Sequence, residues 1–143
     1  MTIAAILDEK GRDVVTVSVS TPVSDAIGLL AERRIGAVIV LDHGGAIAGV
    51  LSERDVIGCL CREGEGILSY SCERLMSAPA ITVTSDTAVL PALAMITRKR
   101  IRHLPVVDGD TLIGIVSIGD LVKYRIDHIE QEAEAMRAYI QAV

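Results

Sequence analysis

The sequence predicts an α/β (α+β) protein: two tandem strand–helix–strand–strand–helix units, packed as a pseudo-two-fold pair, with a long C-terminal helix. Three observations predict it. Shifted against itself by 66 positions, VSVSTPVSDAIGLLAERRIGAVIVLD (Val17 to Asp42) lies over VTSDTAVLPALAMITRKRIRHLPVVD (Val83 to Asp108). Val17, Thr21, Val23, Ala26, Arg34, Ile35, Val40 and Asp42 each meet an identical residue. GVLSERD (Gly49 to Asp55) then returns as GIVSIGD (Gly114 to Asp120) at an offset of 65, one residue having dropped out of a Gly-rich turn, where an indel costs least. Finally, the last 24 residues contain neither Gly nor Pro.

Each unit parses the same way. VVTV (14–17) and AITV (80–83) are short and β-branched, as strands are. Thr21-Pro22 reads as a helix cap followed by proline at the first helical position. That helix runs to about Arg34, with Val23, Ala26, Ile27, Leu30 and Ala31 on one buried face, and Val89, Ala92, Leu93, Ile96 and Thr97 fall in register in the second copy. AVIVL and HLPVV follow as buried strands. HGGA and DGDT turn the chain into AGVLS and LIGIVS. A second helix opens at Glu53 and at Ile118. Neither half has enough apolar area to stand comfortably alone, so the two pack together. Along the chain the organisation is residues 1–65 for the first unit, 66–125 for the second and 126–143 for a helical extension.

In the extension, Val122, Ile126, Ile129, Ala133, Met136, Ile140 and Val143 are spaced alternately by four and three, a heptad seam flanked by polar residues. The helix either lies across its own domain or pairs with its copy in a second subunit. The two-fold symmetry usual among homo-oligomers favours the homodimer.

Half of the 143 residues are apolar and 23% are charged, a globular composition. Apolar runs such as Ala37 to Leu41 are far too short to cross a bilayer, and MTIAAILDEKGRD does not read as a secretion signal. No membrane association is expected. A net charge of −5, with no Trp or Phe, lowers the expectation of nucleic-acid binding. Cys59, Cys61 and Cys72 form no Cys-x-x-Cys pair, which points to free thiols in a reducing cytoplasm and to no metal site. His43, His103 and His128 are scattered, and no nucleophile, P-loop or zinc motif accompanies them. No catalytic residue is assigned and the protein does not read as an enzyme.

The repeated Ser-x-x-Asp has two compatible readings. As a capping box, Ser52 and Ser117 bond free helix N–H groups while the acid favours the positive helix end. As a ligand site, the same helix start offers N–H groups to phosphate, and the carboxylate can accept ribose hydroxyls. Gly49 and Gly114 would let a ligand approach the backbone closely. In RKRIRH (Arg98 to His103), Ile101 marks the inward side, leaving Arg102 and His103 to enter a cleft.

IGAVIVLDHGGAIAGVLSERDVI and IRHLPVVDGDTLIGIVSIGDLV together resemble a tandem pair of CBS domains, the Bateman module, over about residues 1 to 125. TIAAILDEK and CERLMSAPA resemble that family's lead-in helices. The resemblance implies a non-catalytic regulatory module for an adenosyl ligand such as AMP, ADP, ATP or NAD(H). It implies that Asp55 and Asp120 take ribose hydroxyls and that Ser52 and Ser117 bond ribose or phosphate. Glu53, Arg54, Ile118 and Gly119 would line the pockets, and Val15 and Ile81 would meet the adenine edge through backbone groups. Arg102 and His103 stand at frequent phosphate-contacting positions, whereas Gly36 and Ala37 in the first copy bring no charge, so Arg54 would compensate in a first cleft and the sites would be unequal. A homodimer through the CBS faces and the C-terminal helix, and an unknown effector protein, complete the expectation. The rivals are a structural adaptor with vestigial pockets and, less favoured, a nucleic-acid binder using Arg98 to Arg102.

Overall fold

The computed structural model describes residues 1–142. Its elements are α1 (Ile3–Lys10), β1 (Thr16–Ser18), α2 (Val23–Arg33), β2 (Ala37–Leu41), β3 (Ile47–Ser52), α3 (Glu53–Glu63), a 3₁₀ turn (Glu65–Ser69), α4 (Cys72–Leu75), α5 (Val89–Lys99), β4 (His103–Asp108), β5 (Thr111–Ser117) and α6 (Ile118–Ala142). The strands form a sheet ordered β1-β2-β3 and a hairpin β4-β5. The predicted α+β duplication with its long last helix is the observed fold. Val143, the last residue of the predicted seam, lies outside the described residues.

Repetition extends to strained detail. Arg34 and Arg100 end α2 and α5 in the left-handed conformation, each at φ 54°. A non-glycine residue there costs about 1–2 kcal/mol, which the helix end offsets by returning amides to its last carbonyls: Arg34 N–H donates to Ala31 O, and Ile35 and Ile101 reach back to Leu30 and Ile96.

Two expectations about local structure are corrected. Thr21 does not cap α2. Pro22, at ψ 143°, is the last non-helical residue, and the Thr21 hydroxyl instead accepts the Ser18 amide at 3.0 Å. A proline at that position preserves the entry angle without needing the cap bond. The second correction concerns the predicted strand over 80–83. The first copy has β1, shifted to Thr16–Ser18, in parallel register with β2. The second has only a one-residue bridge, Val83 beside Val106. The cause is Pro105. In the first copy Ile39 donates its amide to Val15 O at 3.1 Å. The residue aligned with Ile39 is Pro105, which has no N–H to give to Ile81. The ladder shortens, and the Ile81 carbonyl is left without a partner among the described residues.

Packing follows a different partition from chain order. Ile3, Ile6 and Leu7 of α1 are buried in the second core with Val83, Val89, Leu104 and Leu121. Ile67, Cys72 and Leu75, after α3, are buried in the first core with Val23, Val38 and Leu51. Each lead-in helix is pinned by equivalent bonds: Ile3 N–H donates to Thr87 O, and Cys72 N–H to Thr21 O. The chain therefore exchanges its lead-in segments, which ties the halves together covalently and by burial. This also explains Gly49 and Gly114. The close approach expected of a ligand is made by the protein itself: a Cβ on Gly49 would sit 2.6 Å from Ser77 O, and one on Gly114 would sit 2.7 Å from Leu7 Cδ2.

Candidate functional site

A cleft of about 560 Å³ opens where the two copies meet. Ser52, Glu53, Arg54 and Asp55 form one wall, the segment Ser77 to Ile81 its floor, and Arg100 to His103 the opposite wall. The first wall exists because β3 ends in a residue that caps the next helix. Asp55 N–H donates to Ser52 Oγ at 3.2 Å, and Asp55 Oδ2 accepts the Ser52 amide at 2.9 Å and its hydroxyl at 3.0 Å. Among the described residues Asp55 Oδ1 accepts only the Ser77 hydroxyl, at 3.1 Å. One carboxylate oxygen is thus spent on the fold, and the other is held by a neutral group that a ligand hydroxyl can replace or join.

The floor turns at a cis Ala78–Pro79 peptide and carries Ile81, whose carbonyl Pro105 leaves free. Across from it the backbone at Arg102 is fixed, its carbonyl accepting the Ile118 amide at 2.8 Å. His103 begins β4 opposite Ser117, with its ring against Gly36: a Cβ there would lie 3.0 Å from His103 Nε2 and 3.8 Å from Glu53 Oε1. Burial holds the His103 pKa below the ordinary imidazole value, with Lys10 and Arg102 adding to this and Glu53 and Asp120 opposing it. The sign follows from linkage. The unfolded chain binds the proton more readily, so the contribution is complete above about pH 6.5 and is lost as pH falls through the lower folded value. Urea unfolding at pH 7.5 and 5.5 is expected to show a loss of stability at the lower pH that shrinks in His103→Gln.

The second Ser-x-x-Asp is built alike and ends differently. Asp120 N–H donates to Ser117 Oγ at 3.1 Å, and Asp120 Oδ2 accepts the Ser117 amide at 2.9 Å. Lys10 then places its ammonium 2.6 Å from Asp120 Oδ2 and 2.9 Å from the Ile115 carbonyl. Burial raises the Asp120 pKa, but the Lys10 and Ser117 bonds outweigh it and leave the carboxyl below its usual range. The lysine arrives because α1, with eight residues, runs a turn beyond the four-residue α4.

Of the residues singled out from the sequence, Ser52, Glu53, Arg54, Asp55, Ile81, Arg102 and His103 share the one cleft, with Gly36 behind His103. Ser117 and Asp120 lie at the Lys10 contact, and Ile118 and Gly119 follow in the first turn of α6. Ala37 is buried on β2, and the Val15 carbonyl is taken by Ile39. The first copy's Gly36 and Ala37 bring no charge, but Arg54 is not left to compensate by itself. The second copy's Arg100, Arg102 and His103 cross over to the first copy's carboxylate. Sequence reasoning missed Ser77 on the cleft floor, Arg100 on its wall, and Lys10. A wider groove of about 910 Å³ beside β1 and α2 carries Asp25, Glu32 and Asp42, and so repels anions. Among the described residues no cluster of metal-ligating side chains occurs, and no helix is long and apolar enough to cross a membrane.

Comparison with known proteins places this geometry. The family described as CBS domain matches residues 8–62 and 72–127. A putative signal-transduction protein with CBS domains from Burkholderia ambifaria is 40% identical, with a TM-score of 0.84 over 89% of this chain and 95% of that one. CBSX3, a mitochondrial CBS domain-containing protein of Arabidopsis thaliana, is 32% identical over 98% of this chain and 72% of its own length. Several other curated relatives are longer, and the chain spans 24% of Arabidopsis CBSCBSPB2. The CBS domain pair of MJ0100, solved in complex with 5′-methylthioadenosine and S-adenosyl-L-methionine, shares the fold at 20% identity and a TM-score of 0.78, over 90% of this chain and 98% of that one.

Proposed function

This chain belongs to the CBS domain family, and from that membership we propose that it is a non-catalytic sensor holding one adenosine-containing ligand in the Asp55 cleft. The observation that carries the reading is the convergence of three kinds of group on one 560 Å³ space. Asp55 offers a carboxylate oxygen to a ribose. The Ile81 carbonyl offers an acceptor to an exocyclic amine, with Ile57, Ile81 and Ile101 as apolar cover for a base. Arg54, Arg100 and Arg102 offer charge to phosphates, which guanidinium forks bind well. The MJ0100 pair, solved in complex with two molecules built on adenosine, supports an adenosyl ligand as the class. The arginines favour AMP, ADP, ATP or NAD(H) for this chain.

Because the cleft walls come from both copies, a ligand that prefers one arrangement of the halves shifts their equilibrium by its differential affinity. A change of tilt is what an effector protein would read. A homodimer presenting that surface twice, in a reducing cytoplasm that keeps its cysteines free, completes the reading.

Mass spectrometry of small molecules released from the denatured protein, with calorimetric titration of AMP, ADP, ATP, NADH and 5′-methylthioadenosine, tests it. One ligand per chain is expected, with the phosphate-bearing compounds binding about ten-fold or more tighter, the worth of one charge-assisted hydrogen bond. An absence of binding by all five would leave the adaptor reading in possession.

A further inference from the structure

We propose that α6 pairs with α6 of a second copy of this chain as a parallel, in-register two-stranded coiled coil. This rests on the homodimer reading and adds its orientation.

Among the described residues the apolar seam of α6 stays open to solvent: Val122 is 41% exposed, Ile126 50%, Ile129 47%, Met136 63% and Ile140 67%. Leu121 and Tyr124 take the helix onto its own body, packing in the second core. At about 100° per residue, the seam is centred roughly 130° from that contact, so a partner helix can reach it without displacing the domain. Single exposed apolar residues mean little, but a continuous row along a helix marks an interaction surface.

Charges flanking the seam select the occupant. In heptad terms Ile126, Ala133 and Ile140 take the a positions, and Val122, Ile129 and Met136 the d positions. Arg125 and Glu132 then fall at g, and Lys123, Glu130 and Arg137 at e. A parallel in-register pair sets each g against the e five residues on. Arg125 thus meets the partner's Glu130, and Glu132 meets the partner's Arg137, twice each by symmetry. An antiparallel pair using the same seam sets Glu130 on Glu130, Glu132 on Glu132 and Lys123 on Arg137. Slipping it by a heptad one way pairs Glu130 with Arg137 but leaves Val122 uncovered. Slipping it the other way pairs Lys123 with Glu130 and Arg125 with Glu132 but leaves Met136 and Ile140 uncovered, so that the parallel register alone joins attractive pairs to a fully covered seam. The present intrachain contacts of Glu132 with His128 at 3.1 Å, and of Arg137 with Glu134 at 3.5 Å, are exposed pairs that exchange at little cost.

The test uses the full chain. In a Cys61→Ser background, which removes the exposed native thiol, Ile129→Cys is oxidised and resolved on a non-reducing gel. A disulfide-linked dimer is expected, since d residues face their own copies only in the parallel register; Met136→Cys repeats it one heptad on. Sedimentation then reads charge. Glu132→Lys is expected to weaken the dimer about ten-fold, because two attractive pairs become repulsive. Glu132→Arg with Arg137→Glu is expected to recover wild-type affinity. A dimer in solution that neither cross-links nor responds to Glu132→Lys overturns the parallel coil alone. A monomer at the highest soluble concentration overturns the homodimer as well. Neither result touches ligand binding, which titration reads separately.

Discussion

Truncating Asp55 to alanine is expected to abolish the proposed adenosine-ligand binding, while truncating Asp120 is expected to leave it intact. The two aspartates occupy equivalent places in the repeat, so a reading from the motif alone expects them to matter equally. Their surroundings separate them. Asp55 Oδ1 meets one neutral hydroxyl and faces a cleft walled by arginines. Asp120 does not line that cleft, and its charge is already paired by an ammonium 2.6 Å from Oδ2 that the Ile115 carbonyl also holds. Losing two hydroxyl bonds to a carboxylate costs about 1.5–3 kcal/mol each, a fall in affinity of at least about 100-fold. Alanine also removes a capping contact, worth about 1 kcal/mol of stability. Asp55→Asn therefore accompanies it, since an amide oxygen can still accept the Ser52 amide but brings no charge to the ribose. Calorimetry with the tightest ligand of the panel gives the answer. Equal losses from Asp55→Ala and Asp120→Ala would show that Lys10 is no barrier. Undiminished binding in both Asp55 variants would take the ribose role away from it.

Much of this architecture could be read from the chain because it is written twice. The helix faces led by Val23 and Val89, the β2-β3 and β4-β5 hairpins, and the Ser-x-x-Asp caps are local patterns, and they formed, except that Ala31 and Thr97 at the ends of the two faces are exposed. The three-residue ladder of β1 and the loss of its counterpart were also present in the sequence as the alignment of Ile39 with Pro105, a signal that carries meaning only once the strand pairing is known. The hidden part is what depends on how the copies meet. Arg102 and Asp55 share a cleft because the halves are crossed, and no spacing along the chain encodes that. Lys10 escaped notice for a related reason. Leu7 and Met76 hold equivalent places against Gly114 and Gly49, yet ten residues separate Leu7 from Val17 and seven separate Met76 from Val83. Those three extra residues are one more helical turn. A gap outside the conserved repeat looks like free loop length, whereas here it carries a cation onto a carboxylate.

The exchange of lead-in helices makes the second-largest expected effect one of stability. Leu7 is 1% exposed, and its methyl groups fill the space above Gly114. Leu7→Ala is expected to cost about 2–5 kcal/mol, the range for a buried leucine whose cavity cannot fully collapse. Gly114→Ala alone places a Cβ 2.7 Å from Leu7 Cδ2 and 3.0 Å from Cδ1, and overpacking of that kind costs about 1–3 kcal/mol. The double variant is the discriminating one. With Leu7 shortened, the new methyl enters the vacated volume, so the two costs should fall short of their sum by about 0.5–3 kcal/mol. Guanidinium unfolding of the four chains measures this directly. Additive costs would mean that α1 does not rest on β5. A favourable coupling would show that the first ten residues fold as part of the second half, and hence that any force on the N-terminus reaches the Asp120 side of the molecule through Lys10 and Leu7 together.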